Sequence, residues 1–282
     1  MTEEIRRCFP PRKADSHKGD YGTLLSVCGS YGMAGAALLA AEAALRCGTG
    51  LVIAAVPTSL YPAVATALRE AVFAPYEEEQ AAEALLPRLT TASALLVGCG
   101  LGKDTWAKKL LPTLLSAADC PIVLDADGIN LAAQHISITE TVHAPLIVTP
   151  HPKEMARLLG CSVEEVQRDR EAAAREAVRR TGAVVVLKGH GTIVASPDGE
   201  TWVNTTGNPG MAVGGSGDVL AGMIAAFAAQ GMSPSDAAKC GVYLHGMAGD
   251  RAAARLSQHA MLPSDLIAEL GGLFLKLEQS EL

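Results

Sequence analysis

The sequence predicts an α/β protein: one domain, residues 1–282, with a mostly parallel central sheet, helices on both faces and one β-hairpin. Three observations predict the α/β class. Short apolar runs alternate along the chain with longer stretches of helical period, a pattern typical of parallel strands covered on both sides. Glycine-rich or polar residues follow directly after those runs, at 98–102, 125–130, 149–154 and 188–192. No linker-like shift, internal repeat or low-complexity tract divides the 282 residues, a length that one large α/β core accommodates.

Residues 1–22 read as a charged leader with an opening helix and a polar loop, where His17 and Lys18 are candidates for a lid. Residues 23–27 form a short strand, followed by the loop Gly29, Ser30, Tyr31, Gly32. Residues 34–47 are a helix of small side chains, with Gly48 as its stop. The apolar run 51–56 is a strand, and 59–69 and 77–89 are helices, the second with acids in its first turn. Strand 94–98 ends in Gly98, Cys99, Gly100, Leu101 and Gly102, and a helix follows over 105–116, where Pro112 is a candidate kink. Strand 122–124 ends at Asp125, Ala126 and Asp127, and strand 146–148 at Thr149, Pro150, His151 and Pro152. Helices near 153–159 and 163–180 lead to strand 183–187, which ends in Lys188, Gly189, His190 and Gly191. Segments 192–195 and 201–204 flank Pro197, Asp198 and Gly199 as a hairpin. Helices near 219–230, 234–256 and 263–278 close the chain.

Composition excludes several classes. The formal charge is −7 with no long basic run, which argues against nucleic acid and anionic membrane surfaces as partners. Seven cysteines are scattered without CxxC pairs or zinc spacing, as expected of reduced, inert thiols in the cytoplasm. The N-terminus has no apolar signal core, and the most apolar region, 34–56, is interrupted by Glu42 and Arg46, so no membrane span is expected.

The chemistry concentrates in NPGMAVGGSGDVLAG, residues 208–222. Gly210, Gly214, Gly215 and Gly217 precede Asp218, after which the pattern turns helical. A glycine-rich loop running into a helix start presents free N–H groups and positive dipole potential to an anion. Gly214, Gly215, Ser216 and Gly217 are the candidate anion hole. A carboxylate at such a place repels phosphate unless it has work to do, and taking a proton from a hydroxyl is that work. The plainer alternative, a first-turn acid behind a tight turn, leaves the glycine density unexplained.

In a parallel sheet the other polar strand ends share one edge with this loop, where such folds bind ligands. Gly98–Gly102 is not a GxGxxG fingerprint, and no GxxxxGK[ST] loop exists. Asp125 and Asp127 are candidates to orient a substrate or hydrated Mg²⁺, with Asp127 the better candidate for a helix cap. His151 precedes Pro152 at a helix start and is able to donate to a phosphate or amide. Glu154 is the candidate for contact with the water of a Mg²⁺ ion. Lys188 is placed to neutralise phosphate, beside glycines that permit close backbone approach.

With these segments assembled, the chain resembles the ADP/ATP-dependent NAD(P)H-hydrate dehydratases, a branch of the ribokinase-like superfamily. The resemblance rests on HKGDYGTLLSVCGS, VGCGLG, LDADGIN, TPHPKEMARLLG, LKGHGT and GNPGMAVGGSGDVLAG. It implies repair of the S epimer of NADH or NADPH hydrate with ADP or ATP as co-substrate, ADP giving AMP and phosphate. It implies that Ala36, Gly102, His151 and Asp218 face the hydrate. Lys188, Gly189, His190, Gly191, Thr192 and Gly217 would face the adenine nucleotide, with Asp218 as general base. It also implies Mg²⁺, a homotetramer, and action on one epimer, no epimerase domain being read in this chain. Three departures stand out: Cys28 where glycine is more usual, Cys99 in place of proline and Lys153 in place of glycine. None removes a proposed catalytic group. A small-alcohol kinase of the same superfamily, such as a hydroxymethylpyrimidine or hydroxyethylthiazole kinase, is the nearest alternative. Those kinases usually carry Asn where this chain has His151. A nucleotide-binding regulator is a third reading, and it gives Asp218 nothing to do.

Overall fold

The structure is a computed structural model that describes residues 2–134 and 136–279. Strand β1 (Thr23–Val27) follows a short helix α1 (Glu3–Arg7). The chain then runs through α2 (Ala34–Arg46), β2 (Leu51–Pro57), α3 (Tyr61–Ala67), β3 (Val72–Tyr76), α4 (Ala81–Leu89) and β4 (Ala94–Val97). Next come α5 (Thr105–Ala117), β5 (Ile122–Leu124), α6 (Ala126–Ala132), β6 (Leu146–Val148), α7 (Pro152–Leu159), α8 (Val163–Arg168) and α9 (Arg170–Thr181). Strands β7 (Val184–Leu187), β8 (Ile193–Ala195) and β9 (Thr201–Val203) precede α10 (Ser216–Ala229), α11 (Pro234–Leu256) and α12 (Pro263–Gln279).

The described strands form one sheet in the order β3-β2-β1-β4-β5-β6-β7-β8-β9. The ladders from β3 to β7 are parallel, and β8 and β9 add the expected antiparallel hairpin. Both faces are covered. Leu24, Val52, Ala54, Val56, Leu96, Val123 and Val186 point to the layer of α2, α10, α11 and α12. Leu25, Ile53, Leu95, Ile122, Leu124 and Val185 point to the layer of α4 to α9. This period-2 division is why the strands read as continuous apolar runs.

Helix α10 is buried on nearly all sides. Val219, Leu220, Met223, Ile224 and Phe227 are each less than 5% exposed, and burying each is worth about 2 kcal/mol. That outweighs the roughly 1 kcal/mol cost of each helical glycine. Gly222 is there for contact: a Cβ would collide with the backbone carbonyl of Ala40 on α2.

Several expectations change. Strand β3 adds to the expected strands; it is an edge strand carrying Pro75, with Val72 exposed, the place where a sheet tolerates proline. The expected helix 163–180 breaks at Asp169, whose carboxylate caps α9 by accepting from Ala172 N–H. The polar residues after β5 open helix α6, with Asp125 at its N-cap position and Asp127 in its first turn. Helix α10 begins at Ser216, earlier than the expected 219. His17 and Lys18 lie in a 3-10 turn against the start of β2, where Gly50 meets the Lys18 carbonyl. That is the edge opposite the C-terminal strand ends, so they form no lid there.

Candidate functional site

The chain runs outward from β1 through β2 to β3, then returns to place β4 on the other side of β1. This reversal opens a crevice at the C-terminal ends of β1 and β4, the usual ligand position in open parallel sheets. The loops after these strands meet there: Gly29 N–H donates to Cys99 O at 2.8 Å, and Ser30 Oγ donates to Gly100 O at 2.8 Å. Ala36, in the first turn of α2, faces Gly100 closely enough that a Cβ there would lie 2.9 Å from its own. Gly102 N–H donates to Asp127 Oδ2 at 3.0 Å. Asp127 therefore holds the β4 loop, and Lys103 Nζ lies 4.0 Å from its other oxygen; no helix-capping bond from it is seen among the described residues.

Asp125, 1% exposed, occupies the cap position of α6 but makes no side-chain cap bond. Its Oδ1 accepts from Thr149 Oγ1 at 2.6 Å and pairs with Lys188 Nζ at 2.6 Å. Its Oδ2 faces the Cys99 thiol, with 3.5 Å from Sγ to oxygen. Burial opposes the charge on Lys188, but Asp125 and Glu154 more than offset it and hold the ammonium pKa above its usual value. Lys188 also lies beside Gly217, where a Cβ would stand 3.3 Å from Nζ. Lys188 thus links the ends of β5 and β7 to the first turn of α10.

His151 caps α7. Its Nδ1 accepts from Lys153 N–H at 3.0 Å and Glu154 N–H at 3.3 Å, while Glu154 Oε2 accepts from His151 N–H at 2.8 Å. Burial, then Lys188 and Arg157, lower the pKa of His151, so the imidazole is neutral. With Nδ1 accepting, its proton belongs on Nε2. Nε2 lies 3.3 Å from Glu154 Oε1. Glu154, 4% exposed, has its pKa raised by burial against the opposing pull of Lys188.

The glycine-rich loop is braced from below. Asp250 on α11 accepts from Gly207 N–H at 2.9 Å and from Asn208 Nδ2 at 3.0 Å. Ser216 Oγ is 3.3 Å from Nε2 of the buried His245 on α11. Gly215 adopts φ +98° just before the helix. Asp218 stands in the first turn of α10. Burial and the charge of Asp125 push its pKa up from 3.8 to about 6, against the Cys99 thiol and Lys188. The ligand atoms of Cys99, Asp125 and Asp218 lie within 4.8 Å of one another.

The segment Lys188–Thr192 is held by Arg170. Its guanidinium donates to His190 O at 2.6 Å, Leu187 O at 3.0 Å and Lys188 O at 3.3 Å. Thr192 Oγ1 closes the turn by donating to Gly189 O at 2.9 Å.

The structure therefore gathers Ala36, Gly102, Asp125, His151, Glu154, Lys188 and Asp218 along one sheet edge. Sequence reasoning missed Arg170, His245 and the place of Cys99. Arg170 and His245 lie inside helices and reach the site only through tertiary packing. The glycines flanking Cys99 were the available signal for the third.

A doubly covered, mostly parallel sheet, with a glycine loop entering a helix beside the strand ends, defines a ribokinase-like α/β protein. A model of the NAD(P)H-hydrate dehydratase family matches residues 24–271, and the chain belongs to that family. It is 44% identical over 281 residues to the bifunctional NAD(P)H-hydrate repair enzyme Nnr of Moorella thermoacetica, covering 97% of this chain and 53% of that protein. It is 45% identical over 247 residues to the ADP-dependent (S)-NAD(P)H-hydrate dehydratase of Neisseria meningitidis, covering 86% of this chain and 81% of that one. The chain spans about half the length of the bifunctional relatives it matches. Among solved structures, it superposes with a TM-score of 0.89 on the ADP/ATP-dependent NAD(P)H-hydrate dehydratase of Bacillus subtilis co-crystallised with ATP/Mg²⁺, at 36% identity, covering 98% of this chain and 97% of that one. Among the described residues, no helix is long and apolar enough to cross a membrane.

Proposed function

We propose that the chain dehydrates the S epimer of NAD(P)H hydrate, driven by an adenine nucleotide, with ADP giving AMP and phosphate. The observation that carries the reading is Asp218: a carboxylate with a pKa of about 6, in the first turn of a helix entered through a glycine-rich loop. A base of that pKa is ionised at neutral pH yet basic enough to accept a proton in a transition state.

In this reading Ala36, Gly102 and His151 line the hydrate, and Nε2–H of His151 donates to it. Lys188, Gly189, His190, Gly191, Thr192 and Gly217 receive the nucleotide. Asp218 takes the C6 hydroxyl proton as that oxygen attacks the terminal phosphorus, and the bond from phosphorus to the nucleotide breaks. N–H groups of Gly214, Gly215, Ser216 and Gly217 stabilise the transferring phosphoryl. The C6–O bond then breaks, pushed by the ring nitrogen lone pair, and phosphate leaves. Loss of a proton from the neighbouring carbon restores the ring double bond.

Mg²⁺ enters this reading with the nucleotide and supplies charge neutralisation of the phosphates. Glu154 Oε2 accepts from His151 N–H and Oε1 lies 3.3 Å from His151 Nε2, so a contact with the ion would run through water from Oε1, shared with that imidazole. A cytoplasmic location and a homotetramer are parts of the proposal.

The test supplies chemically prepared NADH hydrate, Mg²⁺ and either ADP or ATP in separate cuvettes and follows reduced-nicotinamide absorbance. Recovery with a nucleotide, and none without, supports the proposal and identifies the donor. A stable phosphorylated alcohol instead supports a kinase.

A further inference from the structure

The thiol beside the proposed base has no part in the reaction above. Cys99 is fully buried at the end of β4. Its Sγ lies 3.5 Å from Asp125 Oδ2, and the ligand atoms of Cys99, Asp125 and Asp218 fall within 4.8 Å of one another. A tetrahedral zinc ion bonded to a thiolate and a carboxylate oxygen sets those two atoms about 3.5 Å apart, from bond lengths near 2.3 and 2.0 Å. The ammonium of Lys188 does not block the position, because it bonds Oδ1 of Asp125 and leaves Oδ2 toward the thiol. Asp125, Glu154 and Asp218 also bring three carboxylates against the single ammonium of Lys188.

We propose that Cys99, Asp125 and Asp218 form a binding site for a thiophilic divalent cation of the zinc class, which shuts the enzyme by occupying Asp218. The ion bonds Sγ as the thiol gives its proton to water. Asp125 Oδ2 and an Asp218 oxygen supply two further bonds, and water completes the tetrahedron. Mg²⁺ does not compete for this place, since a hard ion prefers oxygen ligands and holds its water. The inhibitory consequence rests on the function proposed above; the binding itself does not.

Binding is read first, without substrate or nucleotide. Co²⁺ titrated into the reduced protein gives a near-ultraviolet thiolate-to-cobalt charge-transfer band that saturates at one equivalent and is abolished by Zn²⁺. The band is lost in Cys99→Ala and weakened in Asp218→Asn, while Cys8→Ala, remote from the site, retains it. Circular dichroism verifies that each variant is folded. Zn²⁺ then inhibits the wild-type protein at a concentration at least roughly tenfold below that needed for Cys99→Ala, a gap of about 1.4 kcal/mol, each measured against its own metal-free rate. No band in the wild type, a band unchanged in folded Cys99→Ala, or equal Zn²⁺ sensitivity of the two overturns the proposal. A band without hydrate turnover leaves the site standing and removes the functional reading alone.

Discussion

Lys188 Nζ lies 2.6 Å from Asp125 Oδ1 and 3.9 Å from Glu154 Oε2, so one ammonium joins the ends of β5 and β7 to the first turn of α7. Both carboxylates are nearly inaccessible. Removing the ammonium leaves them buried without a counter-charge. Lys188→Met is expected to lose about 3 kcal/mol of stability, the cost of breaking a buried pair from one side. Urea unfolding checks this, and a loss below about 1 kcal/mol would show that water solvates the acids instead.

Asp218 works against stability at neutral pH. Its folded pKa of about 6 lies above the ordinary 3.8, so the native state holds the proton more tightly than the unfolded chain. Its contribution is therefore favourable below pH 3.8 and is lost as pH rises through about 6. Asp218→Asn is expected to be as stable as the wild type near pH 3.5 and up to about 3 kcal/mol more stable near pH 7. Paired unfolding curves across that range measure the gap. The same pKa predicts that kcat/KM rises with pH to a plateau, with an apparent pKa of about 6.

His245 shows the opposite sign. Burial lowers its pKa from 6.5 to about 4, so the unfolded chain binds its proton first on acidification. Stability is full above 6.5 and is lost as pH falls toward 4. His245→Gln is expected to remove about 3 kcal/mol of that swing. The variant should be checked by the pH dependence of its urea midpoint, with Ser216 losing its imidazole partner in the same step.

Arg170 is the brace of the proposed nucleotide segment, donating to the carbonyls of Leu187, Lys188 and His190. A lysine has no planar fork to reach all three. Arg170→Lys is expected to weaken ADP or ATP binding roughly tenfold, about 1.4 kcal/mol. Isothermal titration with the nucleotide checks this, and unchanged affinity would separate the brace from the binding surface.

Much of this architecture was legible because apolar runs such as Leu51–Pro57 end at glycine or polar residues that a parallel sheet must bring to one edge. Asp218 and the glycine loop were readable for the same local reason. Strand β3 was not, since Pro75 sits inside its short apolar run and argues against a strand, while Val72 at its start is exposed. Asp125 reads in the sequence as a group for substrate or Mg²⁺ and pairs in the fold with Lys188, which reaches it from the end of β7 across β6. His245 and Arg170 gave no local signal, because their partners are 29 residues away and on another element, respectively. The spacing of Cys99 carries no signal; the two carboxylates beside it are brought there by the fold.

In the proposed reaction Asp218 is the base of a nucleotide-driven dehydration. The most direct measurement compares wild type with Asp218→Asn on NADH hydrate, with nucleotide affinity measured on the same samples. Wild type is expected to restore reduced-nicotinamide absorbance only when nucleotide is present. Asp218→Asn is expected to be at least roughly 100-fold slower with nucleotide still bound. Equal rates for the two proteins, or recovery without any nucleotide, would contradict it.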